Sequence, residues 1–126
     1  MAAGIRDLKV WQEAVALGAE MVRVARQAAR RETKVVTDQL MLSGLAVAST
    51  IADGYGRYTA SEQRQLYRAA KRELLRLETL VAVARQADLL STQTHAELST
   101  RMQSVGRLLG GYLVYLERQL EKEGGP

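Results

Sequence analysis

The only proline in the chain is its last residue, Pro126. Proline lacks the amide hydrogen a helix needs and collides with the preceding turn, so its absence from every internal position favours long unbroken helices. The 126 residues, 47% apolar and 25% charged, suffice for one hydrophobic core but not two. The same fractions exclude a disordered or collagen-like chain. With no cysteine, disulfides, zinc-thiolate sites and thiol catalysis are also excluded.

Hydrophobic periodicity predicts four helices, over about 7–30, 35–53, 60–88 and 92–122. In the first, Trp11, Ala14, Val15, Gly18, Met21, Val22, Ala25 and Ala29 recur at the three- and four-residue steps that share one face. The third has a stripe of Leu66, Tyr67, Ala70, Leu74, Leu77, Val81 and Ala84. Thr59-Ala60-Ser61-Glu62 reads as its capping box. The fourth carries Leu98, Met102, Val105, Leu108, Leu109, Tyr112, Leu113, Leu116 and Leu120, with the residues from Gly124 onward expected to fray. Gly54 or Gly56 is placed to end the second helix in a left-handed turn. Short connections make successive helices antiparallel neighbours, so residues 1–126 read as one all-α, up-down-up-down four-helix bundle.

The second helix differs from the rest because it carries no charge between Asp38 and Asp53. A helix without a polar face is buried nearly all round, whereas each helix of a lone four-helix bundle keeps one side wet. Another subunit is therefore expected over that side, and Leu42, Leu45 and Val47, with Leu75 from the third helix, are the interface candidates. Which of them face the core is left open. The charge-free run falls short of the ~20 residues of a membrane span, and Met1 to Arg6 lacks the apolar stretch of a secretory signal. The expectation is a cytoplasmic protein without a membrane partner.

Little points to catalysis. His95 is the sole histidine, in the first turn of the fourth helix among polar neighbours, and reads as a surface residue. A di-metal carboxylate bundle needs two Glu-x-x-His pairs, which one histidine cannot supply. Gly54-Tyr55-Gly56 follows a helix rather than a strand and reads as a turn, not a phosphate loop. Glu73 and Glu78, five residues apart, do not share a helix face well. No cofactor or metal is expected.

The basic residues are more informative. Arg64, Arg68, Arg72 and Arg76 recur every four residues opposite the apolar stripe of the third helix, with Lys71 beside them. Arg23, Arg26 and Arg30 form a second ladder, continued by Arg31 and Lys34. Charge runs are commonly solvated faces. The functional alternative is phosphate binding, which the net charge of +4 and the arginine fork both permit. Gly106, Gly110 and Gly111 are costly within a helix, ~1 kcal/mol each, and close approach of another helix is the expected compensation.

Taken in order, "RDLKVWQEA", "TDQL", "IADGYGR" and "ELLRLETLVAVARQADLLS" resemble the bacterial four-helix-bundle proteins encoded by 23S rRNA intervening sequences. That family is related to the accessory variability determinant proteins of diversity-generating retroelements. The resemblance implies a homopentameric ring without catalytic residues. For the retroelement branch it implies a basic pentamer that binds RNA and a reverse transcriptase. The chain departs from the family pattern in helix two: Met41-Leu42 replaces the usual basic pair, and Ala48 stands where a proline is usual. The first change weakens any nucleic-acid role through that position, and the second implies an unkinked helix. Two functions follow as expectations: an RNA-associated ring of bundles, or a protein-interaction scaffold whose charge only keeps it soluble.

Overall fold

The computed structural model describes residues 4–124. A single 3-10 turn, Ile5–Asp7, leads into α1 (Lys9–Ala28), followed by α2 (Lys34–Tyr55), α3 (Ala60–Gln86) and α4 (Thr92–Gly124). The expected fraying tail lies outside the described residues beyond Gly124, which itself closes α4. The helices pack as an all-α bundle in which α1 contacts α2 and α4, and α3 contacts α2 and α4. The α2–α3 seam is the most extensive and the α1–α4 seam the leanest.

Local chemistry sets the helix ends. The first helix starts two residues later than expected because Asp7 belongs to the 3-10 turn. It stops at Ala28 because Ala29 is extended, with ψ 130°, and the Arg30 guanidinium donates to the Ala29 carbonyl oxygen at 2.9 Å. At the start of α3 the Glu62 amide donates to Thr59 Oγ1 at 3.1 Å, while the Thr59 hydroxyl donates to the Glu62 carboxylate at 3.0 Å. The carboxylate of the predicted capping box is thus engaged by the capping hydroxyl itself. Ser91 caps α4 by accepting from the Thr94 amide at 3.1 Å.

The glycine stop expected after α2 is not left-handed. Gly56 has φ −77°, and Gly54 lies inside the helix. A Cβ on Gly54 would sit 3.3 Å from Leu66 Cβ and from Tyr67 Cζ, so glycine is there to admit α3, not to turn the chain. Among the described residues the non-glycine positive φ belongs to Asp88, at 64°, in the turn between α3 and α4. Aspartate tolerates this region better than most side chains.

The core contains Leu17 and Met21 of α1, Leu40, Val47 and Ile51 of α2, and Leu77 and Val81 of α3, all fully buried. Leu98, Val105 and Leu109 supply α4's share. Each such side chain contributes about 1.5–3 kcal/mol through removal of apolar surface from water. The α3 stripe matches expectation except that Leu66 is only half-buried. In α1 the stripe turns slightly: Val10 and Leu17 are buried, while Val15 and Ala29 are exposed. Val15 lies at the edge of the face defined by Val10, Ala14, Leu17, Gly18 and Met21, and Ala29 lies beyond the helix.

α2 is long and apolar enough to cross a membrane by length and composition, which its shorter charge-free run did not predict. In the bundle it packs against α1 on one side and α3 on the other. Its buried polar groups are served: Thr37 donates to the Lys34 carbonyl at 3.1 Å and Ser43 to the Glu73 carbonyl at 3.4 Å. The α1–α2 seam is closed by glycines, since a Cβ on Gly44 would lie 2.9 Å from both Cβ and Cγ of Met21.

Candidate assembly face and basic surface

The outer side of α2 is where an uncharged helix meets solvent. Leu42 is 60% exposed, Leu45 53% and Val35 69%. Ser49 is exposed on the same side, and no charged residue interrupts the stretch between Asp38 and Asp53. Val47 does not belong to this face. It is fully buried within the bundle core and, contrary to expectation, offers nothing to an interface. Between Asp38 and Asp53 the helix has no charge to mark its wet side, and only the packing separates Leu45 from Val47. Leu75, 63% exposed, lies apart on α3.

The arginine ladder of α3 is divided by its partners. Arg64 donates to one Glu117 carboxylate oxygen at 3.1 Å and Arg68 to the other at 2.8 Å, so a single α4 carboxylate holds both guanidiniums. Such solvent-facing pairs contribute only about 0.2–1 kcal/mol each, but they lower the positive potential that two bare arginines would present. Arg76 donates to the Gln39 side-chain oxygen at 2.9 Å. Lys71 and Arg72 are exposed and form no ion pair among the described residues. Glu117 and Gln39 were missed as partners because both contacts depend on the register between helices, 49 to 53 residues apart for Glu117 and 37 for Gln39.

The second ladder is similarly thinned. Arg23 pairs with Glu20 at 2.9 Å, Lys34 with Asp38 at 2.7 Å, and Arg30 is turned onto the carbonyls ending α1. Cations near a helix C-terminus are favoured by its partial negative charge, so Arg30 has a structural task. Arg26 and Arg31 stay exposed without an ion pair among the described residues.

A cluster of tyrosines occupies the other end of the bundle. The Tyr67 and Tyr112 ring centroids are 4.8 Å apart, and Tyr112 meets Tyr115 edge-on at 5.8 Å. The Tyr67 hydroxyl is buried without a hydrogen-bond partner of good geometry. Burial, followed by the Tyr112 and Tyr55 phenols, holds its pKa well above the ordinary tyrosine value. Burial also raises Tyr112, joined by the neighbouring Tyr115. Such phenols stay protonated near neutrality. His95 is half-exposed at the start of α4. Among the described residues, no group of three or more His, Cys, Asp or Glu side chains is placed to hold a metal. Glu73 and Glu78 differ in setting, half-buried and exposed respectively.

The family model of the 23S rRNA-intervening sequence protein matches residues 6–111. The chain belongs to that family. A solved structure of similar fold, described as a protein of unknown function from the S23 ribosomal protein family of Bacteroides thetaiotaomicron VPI-5482, covers 82% of this chain and 97% of its own. Its TM-score is 0.77 at 11% identity, so the likeness speaks for the fold alone. No curated protein matches the chain. The α4 residues after 111 extend past the region matched by the 23S rRNA-intervening sequence family.

Proposed function

We propose that this protein acts without catalysis, as an assembly of its own copies joined over the outer face of α2, and that the assembly carries RNA on its free cations. The observation that carries the reading is the exposed, uncharged surface built around Leu42 and Leu45. Exposed apolar side chains that are contiguous rather than scattered mark association surfaces. A ring or other closed assembly repeats Lys71 and Arg72 of α3, and Arg26 and Arg31 near the α1–α2 turn, once per subunit. Multiplication of a modest charge in this way favours phosphate backbones without reading sequence.

Sedimentation of the purified, nuclease-treated protein tests the assembly. The expected mass is a multiple of the 13.9 kDa chain, and Leu42→Glu with Leu45→Glu brings it to one chain without loss of helix content. A wild-type mass of one chain at micromolar concentration refutes the assembly. Retention of a labelled structured RNA across a salt series tests the second half: log affinity falls linearly with log salt, and Lys71→Glu with Arg72→Glu weakens it about tenfold or more. Absence of binding at low salt removes RNA from the proposal.

A protein scaffold without nucleic acid is the second reading. What supports it is the Glu117 carboxylate, which occupies Arg64 and Arg68 and breaks the ladder that RNA would otherwise follow. In that case a pull-down recovers one stoichiometric protein after nuclease treatment.

A further inference from the structure

Between α3 and α4 lies a groove of about 400 Å³ whose floor is Leu74 and whose flank is the exposed Leu75. On the α4 side the wall is Gly106, where a Cβ would come 3.4 Å from Leu74 Cδ2. One turn further along the same face of α4, a Cβ on Gly110 would meet nothing within 4 Å. The groove is apolar, and Gly106 keeps its α4 wall low, touched only lightly by Leu74. Its rim is charged in a graded way. Arg68, already shared with Glu117, and the unpaired Lys71 and Arg72 stand along it, and Glu78 marks one end.

We propose that this groove docks an acidic helical segment of another protein. An apolar side chain of that segment sits between Leu74 and Leu75 beside Gly106, and its carboxylates meet Lys71 and Arg72. Glu78 sets the direction, since it repels an acidic residue at its own end. Charge complementarity distinguishes this occupant from the alternatives. A second copy seated by its α2 face brings leucines, but the carboxylates that bracket them, Asp38 and Asp53, are already paired with Lys34 and Arg57 of their own chain. A nucleic acid brings the negative charge but finds no aromatic ring in the groove on which a base can stack. Helices laid into apolar grooves with a charged rim are a common mode of peptide recognition. The inference is independent of the assembly over α2, although it shares Lys71 and Arg72 with the RNA reading.

The probe is a fluorescein-labelled helical peptide of leucine, glutamate and alanine with its leucines on one face, titrated by anisotropy into the full chain. Two control peptides replace the glutamates with lysine or the leucines with alanine. The expected result is saturable binding of the acidic leucine peptide only, weakened by salt. Gly106→Met, which fills the groove and leaves every charge in place, and Leu75→Ser, on an exposed position, each weaken it about tenfold. RNA retention by both variants stays as in the wild type, which separates this site from the phosphate surface. Equal binding of the lysine peptide, or unchanged binding by both variants, overturns the proposal. So does loss of assembly in both variants, which assigns the groove to a second copy. Circular dichroism of each variant establishes that binding was lost from a folded bundle.

Discussion

The seam between α1 and α2 and the seam between α3 and α4 both contain glycines, and they use them in opposite ways. At Gly18 and Gly44 the backbones approach so closely that a Gly44 Cβ would overlap Met21. At Gly106 and Gly110 the space beside the backbone is at most lightly touched. A helical glycine is destabilising by ~1 kcal/mol relative to alanine wherever it stands. In the first seam tighter packing within the chain offsets that loss. In the second, the described residues offer only the light contact of Leu74 with Gly106, which leaves room for another molecule.

The contrast can be broken most sharply at Gly44. Gly44→Ala forces a Cβ against Met21, and overpacking of this kind costs about 1–3 kcal/mol, of which helix propensity returns only part. The midpoint of urea unfolding is expected to fall, and an unchanged midpoint would mean that the seam yields freely. Tyr67, whose ring is pressed against Gly54, sharpens the same point from the side-chain end. Tyr67→Phe removes a buried hydroxyl whose contact with the Tyr112 phenol falls short of good hydrogen-bond geometry, and is expected to stabilise by at most about 1 kcal/mol. Its titration adds a signature. The folded pKa lies well above the ordinary tyrosine value of 10.0, so the stability held by the neutral phenol is complete below pH 10 and is lost as pH climbs above it. Melting curves recorded from neutral to strongly alkaline pH should show a steeper loss for the wild type than for the phenylalanine variant.

In the open seam the sign reverses. Gly110→Ala is expected to raise stability by ~1 kcal/mol, because it gains helix propensity and displaces nothing. A fall in the unfolding midpoint of the isolated chain would show that the space is occupied after all. Gly106→Ala lies between these cases, in ordinary contact with Leu74, and its effect is expected within about 0.5 kcal/mol of zero.

The α3 helix was legible almost residue by residue, because its polar and apolar positions alternate at the helical period and Thr59 announces its start. The same reasoning lost resolution on α2. With no charges to mark a wet face, Leu42 and Leu45 could not be told from Val47, and only the neighbouring helices resolve them. Val15 fails for a smaller reason: it sits within one helical step of the true stripe, and periodicity does not fix a face that finely. Gly54 looks like a terminator because it precedes a loop, whereas its actual role, close approach by Tyr67, is a tertiary fact. Arg64 and Arg68 were placed on the correct helix face. Their neutralisation by Glu117 depends on interhelical register, which no local pattern encodes.

The lean contact between α1 and α4 has a consequence in time. Helices adjacent in sequence can meet after closing only a short loop, while joining the first helix to the last closes a much longer one, 91 residues between Glu13 and Ser104, at a larger entropic cost. The extensive α2–α3 hairpin therefore leads, its flanking helices dock onto it, and the seam between the two ends forms last. Run backwards, the same order makes that seam the first to part, so the bundle opens like a book hinged along α2 and α3.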